Sequence, residues 1–291
     1  MNLRVNPHEE YPSPLRFMKQ EEPMKKIFIS ADIEGTSGIA HWNETERTIP
    51  HDYDYFAGQM TREVAAACEG AREAGAEEVL VKDAHDSGRN LNPAKLPEYA
   101  RVFRGWGCHP FSMMFGLDKS FDGVVFTGYH SAAQMNCNPL SHTMNTGNNY
   151  VKINGELASE LMINSLTASY VGVPVYCVCG DRGLCEWMQS VNPNIAAVPT
   201  SEGFGNGTLG MHPDVAVRTI RETVAEAIRT HKPEDCMFPM PAHFVAEINF
   251  KEHTRATRGG FYPGAQQMDS RTVLFESDDW WEVLKFFSFV L

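Results

Sequence analysis

Residues 25–38 read KKIFISADIEGTSG. Ile27–Ala31 have the apolar character of a buried strand, and the chain then sets Asp32 and Glu34 two apart, just before Gly35. Two carboxylates at the exit of an apolar strand are costly to bury without a positive partner. Identifying that partner and the strand's neighbours decides both fold and function.

Working outward, short apolar runs alternate with helical spacing. YFAGQMTREVAAACEGAREAG (55–75) reads as a helix closed by Gly75, and EEVLVKDAH (77–85) as the next strand. PFSMMFGLD (110–118) reads as a short helix and FDGVVFTGYH (121–130) as a third strand. GELASELMINSLTASYVG (155–172) is expected to be helical, followed by the strand VPVYCVCGD (173–181). Such alternation predicts an α/β fold with a largely parallel central sheet and flanking helices. A smaller C-terminal α+β lobe is expected from a Gly-rich loop at 203–210, a helix over 213–230, strands at 243–250 and 271–277, and an apolar terminal helix. The expected division is a flexible extension at 1–23, a metal-binding catalytic domain at 24–200 and the lobe at 201–291.

The 291 residues are 43% hydrophobic and 21% charged, ordinary for a globular chain. With 25 Lys+Arg against 37 Asp+Glu, the net charge of −12 argues against nucleic acid or an anionic membrane as partner. Seven scattered cysteines form neither a CxxC zinc pair nor a disulfide framework, which predicts reduced thiols and a cytoplasmic location. Cys177 and Cys179 share one face of a strand, the pattern of core packing. No signal peptide is visible, and the apolar terminal stretch is too short to span a membrane.

Ligands of open α/β sheets bind beyond the carboxyl ends of the strands. The first strand ends in Asp32-Ile33-Glu34, the second in Asp83-Ala84-His85 and the third in Gly128-Tyr129-His130. His142 follows in PLSHTM, and Glu156 in ING-E falls on the first turn of the expected helix. Each alone has an ordinary explanation: a cap, a turn, a hydrogen-bonded core residue. Jointly they supply oxygen and nitrogen donors that suit zinc or manganese, in number enough for two ions. The positive partner of Asp32 and Glu34 is therefore expected to be a pair of metal ions.

SADIEGTSG, VKDAHDSGRN, FTGYHS, LSHTM and INGELASE, in that order, resemble the successive signatures of the zinc-dependent D-aminopeptidases associated with bacterial dipeptide-transport operons. The resemblance implies two zinc ions per chain bridged by Asp32. Glu34 and His130 would complete one site, His85 and Glu156 the other. It implies His142 as the active-site histidine beside the metals, and a decamer that admits only short peptides. A water shared by two ions would be deprotonated near neutral pH, with His142 as proton donor or oxyanion stabiliser rather than nucleophile. Asp83 or Asp86 is expected to accept the free N–H of His85, and Asp181 to orient a ligand or receive a substrate amine.

Residues 183–217 contain no Lys or Arg where relatives commonly bring a basic residue to the site. A cationic anchor for a substrate carboxylate is thus expected to be missing, with the Gly-rich loop governing specificity. The leading expectation is hydrolysis of an amide bond next to a free amine. The alternatives are an amidohydrolase acting on neutral or aryl amides and a non-catalytic metal-binding assembly protein; retention of His142 argues against the latter.

Overall fold

The computed structural model describes residues 25–291, and the extension read over 1–23 lies outside them. The chain begins with β1 (Lys25–Ala31), α1 (Pro50–Glu73), β2 (Ala76–Asp83), β3 (Ala100–Phe103) and β4 (Gly123–Tyr129). It continues through β5 (Asn148–Ile153), β6 (Glu156–Leu157), α2 (Glu160–Val171), β7 (Val175–Asp181) and α3 (Arg182–Val191). Next come the hairpin β8 (Ala196–Phe204) and β9 (Gly207–Gly210), and α4 (Pro213–Thr230). The C-terminal part is β10 (Phe244–Phe250), α5 (His253–Gly259), β11 (Gln266–Gln267), β12 (Thr272–Ser277) and α6 (Trp280–Val290).

The first sheet runs β3-β2-β1-β4-β7-β8-β9, parallel except for β9 on the edge. The α/β architecture is the one the alternation predicts. Strand order proceeds outward from β1 in one direction through β2 and β3, and in the other through β4, β7 and β8. The order therefore reverses between β1 and β4, the place where an open parallel sheet leaves a crevice beyond its carboxyl ends.

Period-2 side chains divide the two faces of this sheet. Ile27, Ile29, Val125, Cys177 and Cys179 pack with α1 and α4, whereas Phe28, Val124, Phe126 and Val178 pack toward α2, α6 and the second sheet. All seven cysteines are free thiols, and Cys177 and Cys179 are core residues as their spacing predicts.

The second sheet is antiparallel, in the order β11-β12-β10-β5-β6. It does not divide the chain at residue 200: β5 and β6 belong to it, while α4, from beyond 200, packs on α1 against the first sheet. The Gly-rich loop at 203–210 is part of the β8–β9 hairpin. The terminal helix α6 docks as expected, burying Trp280, Phe286 and Phe287, with the Trp280 indole donating to Thr167 Oγ1 on α2 at 3.1 Å. Among the described residues no helix is long and apolar enough to cross a membrane.

Two glycines set how closely the ends of β1 and β4 approach. Gly35 donates its N–H to the Gly128 carbonyl at 2.8 Å, and a Cβ on Gly35 would fall 1.9 Å from the Tyr129 carbonyl oxygen. Gly128, at φ +68°, would place its own Cβ 2.1 Å from the Asp32 carbonyl oxygen. The crossing brings the Asp32–Glu34 segment against His130. Replacing Gly35 by Ala must push the two segments apart, and a loss of at least ~2 kcal/mol in unfolding free energy is expected. Urea titration of Gly35→Ala checks this; an unchanged midpoint would show that the crossing is loose.

Candidate metal centre and active site

Asp32 and Glu34 follow β1, His85 follows β2 and His130 follows β4, so adjacent strands of a parallel sheet deliver four donors to one edge. All four residues are buried. His85 Nδ1 lies 3.3 Å from Asp32 Oδ1 and 3.3 Å from Glu34 Oε2, and His130 Nε2 lies 3.5 Å from Asp32 Oδ2. The fifth donor is Glu160, whose Oε1 is 3.7 Å from His130 Nε2 and 3.5 Å from His142 Nε2.

Glu160 takes the place expected for Glu156. Residues 153–157 do not start the helix; they form the turn of the β5–β6 hairpin, with Asn154 at φ 52° and Gly155 at φ 87°. Glu156 pairs with Ile153 in that hairpin and is solvent-exposed. The helix begins later: Ser159 caps it by accepting from Met162 N, so Glu160, at the first helical position, turns inward. The Asn-Gly pair is the sequence signature of such a tight turn and distinguishes the two glutamates of INGELASE. The potential ligands fall into three overlapping groups: Asp32 with Glu34 and His85, Asp32 with His130 and Glu160, and Glu34 with His130 and His142. The first two share Asp32, and the third keeps the expected pairing of Glu34 with His130.

Each imidazole has one nitrogen committed to a backbone carbonyl. Thr45 O is 3.0 Å from His85 Nε2, Ser131 O is 2.9 Å from His130 Nδ1, and Leu140 O is 2.9 Å from His142 Nδ1. A carbonyl can only accept, so the proton sits on the committed nitrogen and the lone pair faces the cluster. The expected carboxylate partner of His85 is thus replaced by the Thr45 carbonyl. Asp83 instead fastens the following loop, accepting from the Asn90 and Leu91 backbone N–H groups and from the Asn90 amide. Asp86 is exposed. Asp181 is buried and accepts from Ser131 N at 2.5 Å, Ser131 Oγ at 2.6 Å and Leu184 N at 2.9 Å. It caps α3 and fixes the residue whose carbonyl orients His130, which leaves it no role as a receiver of substrate amine.

The electrostatics are those of a site built for cations. Burial, with Glu34 alongside, pushes the Asp32 carboxyl well above its usual range. Burial also opposes ionisation of Glu34 and Glu160, but His85 outweighs it at the first and His130 at the second, holding both carboxyls low. Burial disfavours charge on His85 and His130 too, yet the facing carboxylates, led by Glu34 and Glu160 respectively, hold both rings well above the usual imidazole value. Asp32 Oδ2, Glu34 Oε2 and His130 Nε2 are buried without a hydrogen-bond partner among the described residues. Leaving even one such group unsatisfied costs about 1–3 kcal/mol, and divalent cations satisfy them all. The donor set fits.

His142 stands beside this cluster. Its ring stacks on His130 with centroids 4.2 Å apart and planes 11° apart, and Trp42 meets its other side edge-on at 5.3 Å. Burial and the neighbouring His130 push its imidazole below the usual value.

The profile of the D-aminopeptidases, peptidase family M55, matches residues 24–289. This chain belongs to that family. A D-aminopeptidase of Bacillus subtilis (strain 168) is 30% identical over 256 residues, spanning 87% of this chain and 92% of the relative. Among solved structures, the Zn-dependent D-aminopeptidase DppA from Bacillus subtilis, described as a self-compartmentalizing protease, superposes with a TM-score of 0.82. It is 29% identical to this chain, and the match covers 90% of this chain and 95% of that one.

Within the D-aminopeptidase framework, exchanging the two glutamates separates the site from its support. Glu160→Gln should lose bound metal by elemental analysis, whereas Glu156→Gln should keep it. The elevated His85 and His130 add a pH dependence. Metal must displace their protons, so affinity should rise as pH increases and fall in acid, with proton release on loading. Calorimetry in buffers of different ionisation enthalpy reads that release.

Proposed function

We propose that this chain is a binuclear zinc aminopeptidase of the D-aminopeptidase type, cleaving the amide bond next to a free amine. The observation that carries the reading is the convergence of Asp32, Glu34, His85, His130 and Glu160, with the free nitrogen of His142 alongside. Asp32 would bridge two ions, with Glu34 and His85 completing one site and His130 and Glu160 the other. Bound there, two divalent ions supply Lewis-acid polarisation of the scissile carbonyl and acidify an attacking water. Zinc is the first candidate, since the relative DppA is Zn-dependent, and manganese suits the same donors.

The protein's own part is to position groups and move protons. His142 is held neutral, its Nδ1–H tied to Leu140, with Nε2 facing the cluster. That nitrogen takes a proton from the attacking water and delivers it to the departing amine. Glu160 Oε1, 3.5 Å away, steadies the charged ring between the two transfers. The stack between His130 and Trp42 fixes the plane in which Nε2 swings. Asp181, through Ser131, and Thr45, on His85, hold the donors so that little reorganisation is left for the reaction itself.

The same reading makes the protein a cytoplasmic homo-oligomer, a decamer by its family, that encloses its active sites as the name of DppA implies for that relative. Phe204 and Leu209 on the β8–β9 hairpin, and Phe261 and Phe289 near the C-terminus, are apolar and largely exposed, available for subunit contacts. Sedimentation velocity measures the assembly directly.

His142→Ala should keep two metals and the native melting temperature but lose about 10²–10⁴ in kcat, the usual worth of one general acid–base. His130→Ala should lose metal and activity together. A panel of D- and L-alanyl substrates, run with metal analysis on the same samples, tests the assignment; a metal-depleted His142→Ala would place that residue among the ligands instead.

A further inference from the structure

Beside His142 the surface opens into a cavity of about 350 Å³, at the small end of the roughly 300–1,000 Å³ typical of ligand pockets. Its walls include Trp42, Ser141, Thr146, Asn148 and Lys251. Lys251 follows β10 directly, and its backbone N–H donates to the Gly147 carbonyl at 3.0 Å, which ties it to the segment leading into β5. Its side chain is exposed, and among the described residues no carboxylate pairs with its ammonium. The other lining residues carry no permanent charge, so Lys251 supplies the cavity's positive charge. The β8–β9 hairpin, where a basic anchor is missing, lends no residue to these walls; its Glu202 is engaged with Arg182 at 3.0 Å.

His142 belongs to both regions: its Nε2 lies 3.5 Å from Glu160 Oε1 in the carboxylate cluster, and it also lines the cavity together with Lys251. A zwitterion whose cleaved bond sits at His142 fits this in one direction only, with its amine inward and its carboxylate outward. We propose that Lys251 is the anchor for the substrate's C-terminal carboxylate, selecting free short peptides over the corresponding amides. The proposal rests on the hydrolase reading above and is the alternative to the expectation that no cationic anchor is present.

Lys251 makes no contact with the donor cluster, so Lys251→Gln should fold and hold metal as wild type does. For D-alanyl-D-alanine, KM should rise about 10–100-fold at unchanged kcat, the scale of one lost charge-assisted contact. D-alaninamide turnover should stay within about twofold, and Lys251→Arg should restore most of the loss. Calorimetric binding of the uncleavable aminomethylene analogue of the dipeptide, as acid and as carboxamide, supplies a readout free of turnover. Wild type should prefer the acid, and Lys251→Gln should bind both equally. Equal affinity of acid and carboxamide in wild type, or a Lys251→Gln loss shared by peptide and amide, would overturn the proposal. A wild type that cleaves neither substrate would sink the hydrolase reading, while the binding contrast would still decide the role of Lys251.

Discussion

Everything at the sheet's carboxyl edge follows from one electrostatic constraint. Three buried carboxylates, Asp32, Glu34 and Glu160, are gathered within reach of three imidazoles, those of His85, His130 and His142. Negative charge buried at that density is not tolerated without cations or protons. The fold accepts the cost because the crevice between β1 and β4 is where strand order reverses, and loops can converge there without crossing. Gly35 and Gly128 then let the backbones touch. The site is thus topology first and chemistry second.

Its precision comes from neutral groups. Thr45, Ser131 and Leu140 contribute only carbonyl oxygens, yet each determines which nitrogen of a histidine is free. No side-chain identity encodes these contacts, which is why the sequence pointed to carboxylates instead. Asp83 and Asp181 are close to the site and well buried, but their acceptor capacity is spent on backbone N–H groups that shape the loops. Proximity to a site and participation in it are separable, and hydrogen-bond accounting separates them.

The parallel sheet, the placement of Asp32, Glu34, His85 and His130 at the ends of β1, β2 and β4, and the core role of Cys177 and Cys179 were legible, because each depends on local periodicity and on strand ends. The short β3 and the hairpins were not, since two to four residues leave little periodic signal. The glutamate exchange turned on a helix start five residues later than expected, decided by Asn154-Gly155 and the Ser159 cap. The sheets cross the expected lobe boundary for a non-local reason: β5 finds its partner in β10, about a hundred residues away in sequence, and carries β6 with it. The loop searched for a cationic anchor was a neighbour in sequence, whereas Lys251 reaches the cavity from the far end of β10.

That long-range pairing also orders the protein's birth. All five metal-binding candidates have been synthesised once Glu160 leaves the ribosome, yet the β5–β6 hairpin that carries the chain into Glu160 pairs along β5 with β10, which emerges about ninety residues later. Until then both edges of the hairpin are open, and the candidate residues lack the sheet that sets the last of them. A nascent chain arrested before Phe244 would hold an incomplete frame around a full complement of charge, and it is the completed chain, rather than its N-terminal half, that would be ready to take up metal.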